Sequence, residues 1–119
     1  MKEVFKKLLN DLEANVEIEG SFIVTRDGLL IYTTMDDVHA ETFAAMSATL
    51  LSSAEVAMDE INGGVPKKIV VEGKNKKIVA MGAGANALLA VITTADVEKI
   101  YKILEKSARK LEEILSEKR

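Results

Sequence analysis

Cysteine is absent from the 119 residues of this chain. That excludes a disulfide framework, a thiolate nucleophile and any zinc site with sulfur ligands. Tryptophan is also absent and aromatic residues make up only 4%, so a core has to be built from Val, Ile, Leu, Met and Ala. No apolar run approaches the roughly 18 residues that span a bilayer, so direct membrane insertion is not expected. Met1 to Lys7 mixes both charge signs without an apolar stretch, so no secretory signal is expected and a cytoplasmic location is. A net charge of −3 gives no general attraction to nucleic acid or anionic lipid.

What is present fits one globular domain over residues 1–119, with 48% apolar and 29% charged residues. Phe5, Leu8 and Leu12, widened by Val4 and Leu9, give residues 2–15 the stripe of a helix. Residues 17–25 and 29–34 read as strands joined at Thr25-Arg26-Asp27-Gly28, where Asp-Gly is a strong hairpin signal. Asp36 or Asp37 can cap a long helix over residues 38–61, and Asn62-Gly63-Gly64 followed by Pro66 ends it. Strands over 68–72, 77–82 and 87–93 follow with short turns, which implies an antiparallel meander. Thr94 or Asp96 caps a last helix over 96–116, whose stripe is Val97, Ile100, Leu104, Leu111 and Leu115, and the tail from Ser116 to Arg119 is expected to fray. The expected class is α/β of the α+β type, in the order α-β-β-α-β-β-β-α. Its five strands form one antiparallel sheet flanked by helices.

The long central helix carries the most information. On a helical wheel, Phe43, Met46, Leu50, Leu51, Ala54, Ala57, Met58 and Ile61 form one arc, read as the core-facing stripe. The opposite arc holds Ala44, Ala45, Ala48, Thr49, Ser52, Ser53 and Val56, and no charged residue stands between Thr42 and Ala54. A helix that avoids charge all round is usually buried all round. Small residues also let a second backbone approach closely. This arc is therefore expected to pack against the same helix of a second copy, since isologous dimers are the commonest oligomers. Cover by the chain's own terminal helices is the alternative.

Motifs for chemistry are weak. Gly82-Ala83-Gly84-Ala85-Asn86-Ala87 matches G-x-G-x-x-A, but a β-branched run follows where a phosphate-binding helix N-terminus is required. It reads as a strand turn, and no cofactor is expected. His39, the single histidine, lies near Asp36, Asp37 and Glu41, acids that ordinary capping explains better than a metal site. No Ser sits in a nucleophile elbow. With no catalytic residue and no metal ligand to assign, the chain reads as a non-enzyme. Lys67, Lys68, Lys74, Lys76 and Lys77 form two small basic patches without aromatic stacking partners, so nucleic acid is not an expected partner. Arg26, at the hairpin tip beside Asp27, has the setting of an arginine finger toward a GTPase, although a solubilising turn residue is the commoner role. Arg26, Asp27 and His39 are the candidate partner contacts.

Taken together, these residues resemble the Roadblock/dynein light chain superfamily. The first hairpin, Ile18-Glu19-Gly20-Ser21-Phe22-Ile23-Val24-Thr25-Arg26-Asp27-Gly28-Leu29-Leu30-Ile31, carries the most recognisable stretch. The Ala-rich helix with Ala44-Ala45-Met46-Ser47-Ala48, and the closing strands Lys77 to Gly82 and Ala87 to Ile92, complete it. The resemblance implies a homodimer, or a heterodimer with another Roadblock protein, joined through the long helix and the strand after it. That adds Ile69, Val70 and Val71 to the expected interface. It also implies a regulatory or scaffolding role toward a Ras-like small GTPase, with stimulation of GTP hydrolysis as one form of it. A structural adaptor that ignores the nucleotide state is the second expectation. The family brings no catalytic triad or metal site to carry over.

Overall fold

The computed structural model describes residues 1–36 and 39–117. Its elements are α1 (Lys2–Asn15), β1 (Gly20–Thr25), β2 (Leu30–Thr33), α2 (Ala40–Glu60), β3 (Ile69–Glu72), β4 (Lys77–Ala83), β5 (Ala87–Thr93) and α3 (Val97–Ser116). This is the expected order. The cap proposed at Asp37, the helix start at Val38 and the fraying of Lys118 and Arg119 lie outside the described residues. No helix among the described residues is long and apolar enough to cross a membrane.

The five strands make one sheet in the order β2-β1-β5-β4-β3, every neighbouring pair antiparallel. β1 is three residues shorter than the expected 17–25. Its neighbour β5 ends at Thr93, with Gly20 already opposite Ile92, so residues 17 and 18 have no strand to pair with. The Thr93 hydroxyl instead donates to the Glu17 carbonyl. At the hairpin Gly28 takes φ +96°, the left-handed conformation that favours glycine. The Thr25 hydroxyl accepts from the Leu29 N–H and donates to the Asp27 carboxylate.

Alternation along the strands sends side chains to two faces. One face is closed by α1 and α3. Phe5, Leu8, Leu9 and Leu12 from α1 and Val97, Ile100, Leu104, Ala108 and Leu111 from α3 bury against Ile23, Val79, Met81, Leu89 and Val91. The Asp96 side chain caps α3 by accepting from the Glu98 N–H at 3.1 Å. The other face is covered by α2 alone, whose Ala44, Ala48 and Leu51 lie on Phe22, Val24, Ala80, Leu88 and Ala90.

The ends of α2 differ from expectation in detail. Its N-cap is His39, which makes no side-chain cap bond, and not Asp36. Its C-terminus closes with Gly63 N–H donating to the Met58 carbonyl at 2.8 Å and Asn62 N–H to Asp59 at 3.2 Å. This is the Schellman pattern, with Asn62 rather than a glycine at positive φ (53°).

Candidate functional site: the outer face of α2 and the β3 edge

The way α2 sits on the sheet corrects the helical-wheel assignment. Ala44 and Ala48, placed on the outward arc, are 0% and 5% exposed and belong to the chain's own core. Ser47 is buried beside them. Met46 and Leu50, placed on the core arc, are 53% and 39% exposed, and Ile61 at the end of the helix is also exposed. The physical reason is a division of bulk between the two partners. The sheet supplies large groups, above all fully buried Phe22, whose ring lies 4.4 Å from that of Phe43. The helix therefore meets it with small residues at i, i+3, i+4 and i+7: Ala44, Ser47, Ala48 and then Leu51. A Cβ added to Gly28 would come within 3.2 Å of the Ala45 Cα, so the hairpin turn also approaches the helix backbone closely.

What points away from the sheet is the useful surface. Met46, Thr49, Leu50, Ser52, Ser53, Val56 and Ala57 are exposed, Ala45 is half-buried, and none carries charge. The neighbouring edge strand β3 pairs only with β4, so its outer N–H and C=O groups have no strand partner among the described residues. Ile69 is half-buried under α2, while Val70 and Val71 are exposed. Of the ten residues expected at an interface, eight thus lie wholly or partly on the surface, and Ala44 and Ala48 do not. Met46 and Leu50 were missed. The signal for them was the small-residue spacing itself, which marks the side that approaches the sheet and leaves the larger residues outside.

The candidate partner contacts are not brought together. Arg26 is not a free finger. Its Nε–H donates to the Ala87 carbonyl (2.9 Å), Nη2 to the Gly84 carbonyl (2.8 Å) and Nη1 to the Glu55 carboxylate (2.7 Å). Asp27 is exposed on the same turn, above a shallow surface cleft that also meets Ala45, Thr49 and Ser53. His39 is exposed at the far end of α2; sixteen residues separate it from Glu55, about 24 Å at 1.5 Å per residue. The Gly82–Ala87 stretch runs from β4 through a turn into β5, with Gly84 at φ +79° and no helix after it. Three of the clustered lysines are held by the chain itself. Lys68 lies 4.5 Å from the Tyr101 ring centroid and 3.4 Å from Glu98, Lys76 pairs with Glu19, and Lys77 donates to the Ala95 carbonyl.

Comparison with known proteins agrees with this architecture. The uncharacterized protein MJ0310 of Methanocaldococcus jannaschii is 33% identical over 92 residues, covering 76% of this chain and 80% of that protein. Among solved structures, an MglB with tetrameric arrangement superposes with a TM-score of 0.88 at 17% identity, over 98% of this chain and 90% of the other. The Roadblock/LC7 domain from Streptomyces avermitilis superposes with a TM-score of 0.85 at 22% identity, over 92% and 96%. The family model of the Roadblock/LC7 domain matches residues 4–93, and the chain belongs to that family.

Proposed function

We propose that this protein is a non-catalytic, dimeric regulator or scaffold of the cytoplasm that binds a Ras-like small GTPase. The observation that carries the reading is the outer side of α2, uncharged between Thr42 and Ala54 and exposing Met46, Leu50 and Val56, together with the open edge of β3. Contiguous exposed apolar groups of this kind mark interaction surfaces. An edge strand with free N–H and C=O groups is a template for pairing with another chain. A second copy satisfies both at once, helix on helix and β3 beside β3, through one self-complementary patch. The tetrameric arrangement of the MglB neighbour supports self-association in this fold.

The GTPase assignment rests on the family. The mechanism it implies is positional: the dimer binds one switch conformation more tightly than the other and so shifts the population toward it. With Arg26 tied into the fold, any stimulation of hydrolysis would come from ordering the GTPase's own groups and not from Arg26 as a donated finger.

The test has two steps. The solution mass of the 13.0 kDa chain by light scattering over a concentration series is expected to be that of a dimer, and Met46→Arg is expected to return a folded monomer. Binding to candidate Ras-like GTPases loaded with GDP or a non-hydrolysable GTP analogue then measures the state preference. Equal binding to both states would replace the regulator by the adaptor. A wild-type monomer at every concentration would remove the dimer.

A further inference from the structure

Gly82 poses a question that backbone geometry does not answer. It lies inside β4, opposite Leu88, and is not among the glycines with positive φ. A glycine in a strand interior weakens the strand unless something needs the space. What occupies the space is Arg26. A Cβ on residue 82 would stand 2.3 Å from Nη2 and 3.2 Å from Cζ of the Arg26 guanidinium. With no side chain on Gly82, the guanidinium lies over β4 and reaches the β4–β5 turn, β5 and α2. It donates to the Gly84 carbonyl in the turn, to the Ala87 carbonyl at the start of β5 and to the Glu55 carboxylate of α2. The two ionic side chains keep 27% and 35% of their surface exposed, so this pair is partly shielded from solvent.

We propose that Arg26, seated over Gly82, is a positioning residue that buckles α2 to the sheet through Glu55 and so sets the outer face by which the chain self-associates. The proposal rests on the self-association reading above. Its physical basis is the poverty of other restraints on α2. Phe43 packs on Phe22 near the start of the helix, but beyond it the contacts to the sheet are Ala44, Ser47 and Ala48, which interlock little, and Leu51 is the one large, fully buried anchor. Glu55 sits one turn beyond Leu51 and next to Val56 of the exposed face. Releasing it frees the C-terminal half of the helix to shift. A planar guanidinium is needed because its donors diverge toward acceptors on different elements, which an ammonium on a single point cannot reproduce.

The test is a double-mutant cycle of Gly82→Ala and Arg26→Ala, read by amide exchange of α2 and by the dissociation constant of self-association. Gly82→Ala alone is expected to displace the guanidinium, speed exchange from Leu51 to Val56 and raise the dissociation constant, each by about tenfold. In the Arg26→Ala background the same change is expected to be silent or mildly protective, because alanine then only replaces a strand glycine. Arg26→Lys is expected not to rescue. Should Arg26→Ala fail to fold, Glu55→Gln offers the second arm, with a smaller rise in dissociation constant expected. Equal effects of Gly82→Ala with and without Arg26 would overturn the buckle. Coupling in exchange with an unchanged dissociation constant would leave a structural tie only and overturn the positioning role. A wild-type monomer would sink the self-association reading and the positioning role with it, while exchange on that monomer would still show whether the buckle exists.

Discussion

The two faces of the sheet are closed in different ways. On one, α1 and α3 bring nine buried side chains, six of them Leu or Phe, against the strands, and their outward sides carry lysines and acids. On the other, a single helix lies close on small residues, and between Thr42 and Ala54 its outward side carries no charge either. The first face is finished within the chain. The second is covered but not closed, because one helix cannot screen both itself and the β3 edge from water. The lesson is that burial and charge must be read together. Small residues mark the side of α2 that approaches the sheet, and the missing charge between Thr42 and Ala54 is the ground for the proposed interface on the other side.

The largest expected effect falls on the finished face. Leu104 is fully buried between α3, α1 and the sheet. Leu104→Ala should lower unfolding stability by about 2–5 kcal/mol, as large-to-small core changes do, measured by urea titration. Association of the molecules that remain folded should be unchanged. A loss of association without loss of stability would erase the distinction between the faces.

Next in size is the close seat of α2. Ala44 has no exposed surface, and Ala44→Leu forces bulk between helix and sheet at an expected cost of about 1–3 kcal/mol. Ala57→Leu on the exposed side should stay within about 0.5 kcal/mol. Similar costs for both would mean that α2 is not held by close approach. The same contrast governs the choice of interface probe. An arginine at Ala48 would report on folding, since that side chain is 5% exposed, whereas Met46 can carry one outward.

Most of the fold was legible from residues. The stripe of α3, the Asp-Gly hairpin and the short turns of the meander each act through local chemistry, and all eight elements occur in the expected order. The strand limit at Gly20 was not legible, because it depends on where β5 ends. The inward side of α2 was misread for a related reason. A wheel ranks arcs by apolar bulk, but which arc faces in depends on the bulk already supplied by Phe22 and Leu88 across the interface. Arg26 shows the same limit: its three acceptors come from Glu55, Gly84 and Ala87, distant in sequence, and no local pattern announces them. Gly82 was visible only as half of a nucleotide-like motif, although its absent side chain has a specific use.

The smallest effect sharpens the comparison most. A single charge can be altered on the solvent side of a helix from each face. On α1, Lys7 and Asp11 form an exposed i, i+4 pair at 3.1 Å, with 76% and 58% of their side-chain surface in water. Lys7→Ala should therefore change stability by no more than about 0.3–0.5 kcal/mol and leave association untouched. On α2, Met46→Arg should be as mild toward folding, since the side chain is 53% exposed and arginine is a good helix former. Yet it should weaken self-association at least tenfold, about 1.4 kcal/mol, because its charge would be desolvated against a second copy. Sedimentation of both variants over the same dilution series decides the matter. If both are silent, the outer side of α2 is ordinary solvent-facing helix and the absence of charge between Thr42 and Ala54 has no bearing on assembly. If only the α2 variant dissociates, two helices equally exposed in the isolated chain differ in what they meet, and the difference was written in where the sequence withholds charge.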